Sequence, residues 1–481
     1  MDLLDWEQAA GIFFMNEGEK LAPEAMSRYN ICKMGERRSL CMIKTAKFGG
    51  SSLSDAGQFQ KVAAIVKADA ERRFIVVSAP GKRFSTDDKI TDLLYRTAAL
   101  ARERQDFSAP FSLIRDRYLS IERELGLMAA HMGPALDEIE AALRTGQATA
   151  DFVASRGEYL CARLMGAYLG VPMVDAAELV RFDENGAVDF SATARCCERL
   201  KGLDRVVIPG FYGAMPDGSV RTFSRGGSDI TGSIIARAVE ADVYENWTDV
   251  DGFMMADPRI VPEARVMHAV SYEELRELSY MGASVLHEDS IFPVRQARIP
   301  IHVRNTNRPE GGGTWIVNEG TLMKEHRQGL LAGIAGRRGF TMITLTKENL
   351  HKEVGFGYNL LKILDRHGIS FESMPCGIDN LTVILNDADI RGKMDLLYHE
   401  IRTELKPDTV EIASSIALIA TVGRGMARTV GVAARLFTAL SEAGISSRII
   451  DQSPKEMNLI VGVDQRDFEG AIRAIYRAFC G

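Results

Sequence analysis

The chain has 481 residues, 46% of them apolar and 26% charged, with a net charge of -7 from 58 Lys and Arg against 65 Asp and Glu. At roughly 100–200 residues per domain this length holds two to four domains of ordinary globular composition. The acidic balance argues against a general nucleic-acid or anionic-membrane surface, so a bound anion has to be held by a local cluster of donors. The seven cysteines, at 32, 41, 161, 196, 197, 376 and 480, form no C-x-x-C pair and no metal-spaced Cys/His cluster. They read as free thiols of a reducing compartment, which makes the cytoplasm the expected location. No stretch reaches the ~18 apolar residues of a membrane span, and the N-terminus lacks a signal-type apolar core.

From Ile43 the chain alternates strand-like and helix-like segments. A strand ends at Phe48, and Asp55 is placed to cap a helix that carries Val62, Ile65 and Val66 on one face. The β-branched run Phe74 to Ser78 predicts a second strand, followed by the polar loop "APGKRFSTDDK" and three or four helices up to about Gly170. Strands follow at 205–211 and 242–249, with a helix between them after "SRGGSD". Strand, glycine-rich turn and helix in repetition predict an α/β sandwich with a largely parallel sheet. The C-terminal third differs. Strand-like runs at 340–347 and 415–423 each lead to a helix, a Gly-Ile-Ser triplet and a further strand, so a βαββαβ unit is duplicated. The glycine-rich "PEGGGTW" at 309–315 supports a boundary near residue 325.

Two turns carry the chemistry. In Lys47-Phe-Gly-Gly-Ser-Ser52 the glycines permit positive φ or close backbone approach, so that N–H groups can face a phosphate beside Lys47. A plain tight turn is the competing account, and no Walker A loop is present. In Ser224-Arg-Gly-Gly-Ser-Asp229, Arg225 suits a bidentate grip on a carboxylate or phosphate, while Asp229 is open to reading as a simple N-cap. Both turns stand at carboxyl ends of strands, where open α/β sheets bind ligands. The stretch 246–264 is rich in Asp, Gly and Pro; it is either a ligand-binding segment or a structural excursion built on Asx-turns.

Together these motifs resemble the aspartate kinases of the amino acid kinase family. The family's K-F-G-G-T/S-S stands at Lys47 to Ser52, its G-R-G-G-S-D at Ser224 to Asp229 with Ser224 for the leading glycine, and its W-T-D-V-x-G…D-P-R at Trp247 to Arg259. G-A-x-V-L-H stands at Gly282 to His287, and the duplicated tail is similar to the family's tandem ACT domains. The resemblance covers residues 42–481. It implies a three-layer α/β/α sandwich at 42–325 and two α+β ferredoxin-like ACT domains at 326–481. The first ACT unit is expected at about 340–405 and the second at about 412–481, with a strand from about 330–335 interleaved into it.

The activity implied is transfer of the γ-phosphoryl of Mg·ATP to the side-chain carboxylate of L-aspartate. Lys47 would stabilise the transferring group and Asp229 would orient it. Gly49, Gly50, Ser51, Gly226, Gly227 and Ser228 would cradle the phosphates. Ser78, Thr91, Glu158 and Arg225 would hold aspartate, with Glu158 on its ammonium and Arg225 on its α-carboxylate. Thr248, Asp249, Asp257 and Arg259 would serve the nucleotide, as would Met254 and Ser284, which replace the Tyr and Lys of many relatives. An end-product amino acid, lysine or threonine, would bind the ACT pair near Asn349, Glu353, Gly355, Phe356, Ser370 and Glu372. A homodimer or larger homo-oligomer through the ACT domains is implied, although dimerisation alone would also account for the pair. The rival function is an ACT amino-acid sensor with impaired catalysis. Residues 1–41 read as an over-extended start, because Met42 directly precedes the first strand and "GERR" (35–38) can be encoded by a ribosome-binding-like purine run.

Overall fold

The computed structural model describes residues 42–127, 132–146, 148–224, 226–283, 286, 288–318, 330–452 and 457–481. Residues 1–41 and the expected boundary near 325 lie outside them. The chain begins with β1 (Lys44–Phe48), α1 (Ala56–Lys67) and β2 (Arg72–Val77). Asp55 caps α1 as expected, its carboxylate accepting from Gln58 N at 3.0 Å. Four helices fill the next stretch: α2 (Ile90–Arg102), α3 (Ser108–Glu124), α4 (Met132–Arg144) and α5 (Ala150–Leu169). Then come α6 (Phe190–Cys197), β3 (Val206–Pro209), and a hairpin of β4 (Tyr212–Ala214) and β5 (Val220–Thr222). After α7 (Gly227–Ala238) and β6 (Val243–Thr248), the region closes with β7 (Ala269–Ser271), α8 (Tyr272–Tyr280), α9 (Glu288–Gln296), β8 (Ile301–Asn305) and β9 (Thr314–Val317).

The seven strands order as β3-β2-β1-β6-β8-β9-β7. From β3 to β8 they are parallel, and β9 turns antiparallel to β8. Because successive strand residues face opposite ways, the sheet sorts its own core. Ala46, Phe48, Ile75 and Val77 join the core shared with α1 to α5, whereas Phe74, Val76, Ile208 and Tyr244 join the one containing Ile234 and Ile235 of α7. Helices cover both faces, which gives the three-layer sandwich.

The second region is one six-stranded antiparallel sheet. Its elements are β10 (Gly333–Thr346), α10 (Phe356–Arg366), β11 (Phe371–Ser373), β12 (Asn380–Asn386), α11 (Met394–Glu400), β13 (Thr409–Val422), α12 (Val432–Glu442), β14 (Ile449–Gln452), β15 (Asn458–Asp464) and α13 (Phe468–Cys480). Strand order is β11-β12-β10-β13-β15-β14. The 14-residue strands β10 and β13 pair along their whole length, from Gly333↔Val422 to Thr346↔Thr409. The half of β10 from Phe340 pairs with β12, while its first half lies against the part of β13 that pairs with β15. The strand holding residues 333–335 therefore sits with the second repeat. No break separates the repeats near residue 412, since β13 runs through it.

The two regions share an apolar cluster, in which Leu275, Leu278 and Met281 stand with Leu418, Ala420 and Val422, and polar contacts cross the same seam. Ile334 N donates to Met255 O at 2.7 Å, and Arg265 N donates to the Tyr476 hydroxyl of α13 at 2.9 Å. The α8 helix meets the second region through several polar contacts. Glu273 pairs with Arg424 at 3.1 Å, Glu277 accepts from Asn458 at 2.6 Å, and the Tyr280 hydroxyl donates to Glu372 at 2.6 Å.

Candidate active site

Four parallel strands, β1, β2, β3 and β6, end on one side of the sheet, and the chain order reverses between β1 and β6. Such a switch point leaves a crevice beyond the strand ends. Here it is a cavity of about 590 Å³, walled by Lys47 near the end of β1, Gly50 and Ser51 after it, Ser78 after β2, Asp249 after β6, and the start of α7.

Strand alternation decides where Lys47 points. With Ala46 and Phe48 turned toward α1–α5, Lys47 faces α7, where its ammonium lies 2.5 Å from Asp229 Oδ1. The same oxygen accepts from Asn246 Nδ2 at 2.8 Å, and the Tyr244 hydroxyl donates to Asp229 O at 3.1 Å. Strand β6 thus fixes the first turn of α7 while α7 fixes Lys47. Asp229 is not the N-cap. That position belongs to Gly226, whose φ of 58° is left-handed and suits a residue without Cβ. Gly226, Gly227 and Ser228 all line the cavity.

The first turn uses its glycines differently. Gly49 is extended, with φ -72° and ψ 164°, and its N–H is committed to Trp247 O at 3.0 Å. At Gly50 the need is space, since a Cβ there would stand 2.8 Å from Ala79 O, and Gly50 O accepts from Gly81 N at 2.8 Å. Close approach is the reason for glycine here, and positive φ is not.

Ser78, Thr91 and Glu158 also line the cavity. Glu158 comes from the middle of α5 and is 4% exposed. Burial pushes its carboxyl up to about 8, against the opposing effect of the Ala79 N–H that hydrogen-bonds it. Its Oε2 has no hydrogen-bond partner. A buried, unsatisfied acidic oxygen beside a cavity is a seat for a cationic donor.

The remaining expected residues divide. Asp249 lines the cavity; Thr248 stands just behind it and donates to the Asp249 carboxylate at 3.2 Å. Met254, Asp257 and Arg259 do not line it. Met254 bridges to Val266 and packs on the apolar cluster of β13, β15 and α13, while Arg259 is exposed and paired to Asp257 at 2.6 Å in an Asx-type turn. The far half of 246–264 is thus drawn toward the regulatory sheet, which is what a sequence window alone does not show. Arg225 and Ser284 lie outside the described residues.

Among the expected effector residues, Phe356 needs correction. As the first residue of α10 it turns into the core with Leu360 and Leu364, so its side chain is out of a ligand's reach. Asn349 is the left-handed cap of a short turn and Gly355 that of α10, Glu353 pairs with Lys347 at 2.6 Å, and Ser370 is exposed just before β11. Glu372 is already engaged by Tyr280 and lies 3.4 Å from Arg337. Sequence reasoning missed Asn246, Lys82, Lys89 and Phe211, the last a cavity residue with φ 79° whose N–H is held by Thr231 Oγ1. Only the lysines had a signal, as cations in the loop after Ser78.

Among the described residues no three His, Cys, Asp or Glu gather as a metal cluster, and no helix is long and apolar enough to cross a membrane. The amino acid kinase family model matches residues 42–305 and an ACT domain model matches 419–479. Aspartokinase 3 of Bacillus subtilis is 36% identical over 455 residues, spanning 91% of this chain and 98% of the relative. The crystal structure of Clostridium acetobutylicum aspartate kinase superposes with a TM-score of 0.84 at 47% identity, covering 91% of this chain and 100% of that one. Escherichia coli aspartokinase III in complex with aspartate and ADP, described as the R-state, superposes at 0.65 with 26% identity, covering 91% and 99% of the two chains. Its complex with lysine and aspartate, the T-state, superposes at 0.67 with the same identity, covering 91% and 100%. With its sandwich, its paired glycine-rich turns and its duplicated regulatory sheet, this chain belongs to the aspartokinases of the amino acid kinase family.

Proposed function

We propose that the cavity transfers the γ-phosphoryl group of ATP to the side-chain carboxylate of L-aspartate, giving 4-phospho-L-aspartate for the biosynthesis of lysine, threonine and methionine. The observation that carries the reading is that one cavity is lined both by Lys47 with the N-terminus of α7, suited to phosphates, and by Glu158, whose unpaired carboxyl oxygen suits the ammonium of an amino acid.

A carboxylate nucleophile with a reference pKa near 3.9 is already ionised at pH 7, so the reaction asks for no general base. The barrier is the meeting of two anions, and it is lowered by positioning and by donors around a loose, charge-spread transition state. Lys47 supplies the fixed cation, and Asp229, held by Asn246, keeps its ammonium directed at the cavity rather than acting as a base. Ser78 and Thr91 complete the pocket around aspartate, and Arg225 takes its α-carboxylate. Mg²⁺ would arrive with ATP and neutralise phosphate charge. Asp249 is a carboxylate at the cavity wall, and among the described residues no cage of acids surrounds it, which fits the way this ion is held by few protein ligands.

The regulatory sheet supports feedback by an end-product amino acid, for which lysine is the first candidate given the lysine complex of the Escherichia coli relative. A homo-oligomer assembled through this sheet, acting in the cytoplasm, completes the reading. The free thiols of Cys161, Cys196, Cys197, Cys376 and Cys480 support a reducing location. The test is ATP- and aspartate-dependent hydroxamate formation in hydroxylamine. Lys47→Ala should abolish it, and a variant rate within a few fold of wild type would sink the assignment.

A further inference from the structure

The loop between β2 and α2 is the stretch of cavity wall that these roles leave unused. Its ends are drawn together, with Ile90 N donating to Pro80 O at 3.4 Å and Gly81 N to Gly50 O at 2.8 Å. Its middle is held by a clasp of charges. Asp87 accepts from Arg83 Nε at 2.9 Å and from Arg117 Nη2 at 2.6 Å, and Arg117 Nη1 also donates to Gly81 O at 3.1 Å. Arg117 comes from α3, and both it and Asp87 are buried. Desolvating such a pair is costly, and it is tolerated where the geometry and the extra hydrogen bonds are good.

What the clasp presents is a pair of cations. Lys82 and Lys89 both line the cavity. Both are exposed, and neither has an ion-pair partner among the described residues; the one hydrogen bond from Lys82 goes to Ser85 O at 3.3 Å. Lys47, by contrast, is committed to Asp229. The incoming reactants carry several negative charges into a site whose free ammonium groups are on this loop.

We propose that Lys82 and Lys89 are catalytic residues of the transfer, contacting the aspartate side-chain carboxylate and the phosphoryl oxygens as they approach, and that Arg117 positions them through Asp87. The inference rests on the cavity being the aspartate and ATP site. In the step, a carboxylate oxygen of aspartate forms a bond to the γ-phosphorus. The bond from that phosphorus to the β–γ bridging oxygen breaks, and its electron pair leaves with ADP. The lysines remain protonated throughout and transfer nothing. Their contribution is charge placed where the two anions converge.

The experiment uses the full chain with Lys82→Ala, Lys89→Ala, the double variant and Lys89→Arg in the hydroxamate assay. Each alanine should lower kcat/KM for aspartate about 10- to 100-fold, as expected for a charge-assisted contact, with a fall in kcat as well as a rise in KM. Lys89→Arg should retain most of the activity. Both lysines are exposed, so the thermal midpoint should stay at the wild-type value. Single and double alanine variants within twofold of wild type, alongside an inactive Lys47→Ala, would overturn the proposal and leave the site assignment standing. If Lys47→Ala is active too, the assignment itself falls. For Arg117, the readout is coupling: Arg117→Met should lower kcat in the wild type and cost little more in the double-lysine background. Equal losses in both backgrounds would reduce Arg117 to a packing role.

Discussion

The cavity at the strand ends and the seam between the two regions both carry polar side chains, yet they are organised differently. In the cavity, groups stand open: Glu158 Oε2 has no partner, and Lys82 and Lys89 face the space without ion pairs among the described residues. In the seam most groups are closed, Tyr280 on Glu372, Glu273 on Arg424, Glu277 on the Asn458 amide nitrogen and Tyr476 on the backbone of Arg265, while Asn458 Oδ1 is left without a partner. An unsatisfied buried group is costly until a ligand satisfies it, whereas a satisfied one reports any movement of its partner. On the proposed reading the cavity receives and the seam transmits.

Ways to break that contrast can be ranked by size. Lys47→Ala should have the largest effect, a loss of about 10³-fold or more in kcat, because a fixed cation of the transition state disappears. Glu158→Gln comes next. The KM for aspartate should rise about 10- to 100-fold, as for loss of a charged hydrogen bond, with a smaller effect on the KM for ATP. Its pH behaviour sharpens the case. The folded carboxyl is raised to about 8 from 4.5, so between those values the empty native state holds a proton that the unfolded chain has released. Stability without ligand therefore falls as pH rises through that window. Aspartate requires the ionised form, so the thermal shift produced by aspartate should be larger at pH 8 than at pH 6. A pH-independent shift would remove Glu158 from the ammonium site.

The seam should respond differently. Tyr280→Phe deletes the hydroxyl bonded to Glu372 and should leave uninhibited kcat within about twofold. The inhibitor concentration at half effect should move by about 5-fold or more, the lower end of typical allosteric couplings. An unchanged inhibition curve together with an altered kcat would reverse the division between receiving and transmitting groups. The smallest effect is expected for Tyr476→Phe, which removes one hydroxyl accepting from Arg265 N and should cost about 1 kcal/mol, read as a lower urea midpoint.

Much of this was legible in the chain. The run ending at Phe48, the capping aspartate at 55 and both glycine-rich turns stand where local chemistry put them, because strand alternation, caps and turns are short-range. Asp229 was ambiguous from local pattern, since an acidic residue at a helix start also reads as a cap. Only the contact with Lys47, 182 positions earlier in sequence, decides between them. The polar loop after Ser78 was legible only as a loop, because its organising partner, Arg117, lies on a helix 30 positions beyond Asp87. Met254 fell away from the cavity for a similar reason. Its environment is supplied by α13 at the far end of the chain. The repeat was visible as a repeat, but not that β10 and β13 each run through both copies, since a register shift near Phe340 leaves no mark in composition.

Those two shared strands have a consequence for the chain as a covalent object. Val430, fully exposed in the turn before α12, is an inviting point for a protease. A cut there would leave β10 and β13 on the N-terminal piece and β14 and β15 on the C-terminal one, although β13 and β15 are bonded neighbours. Neither fragment would carry a complete second repeat. The nicked protein should therefore run as a single species under native conditions and separate only in denaturant, its continuity kept by a sheet rather than by a peptide bond.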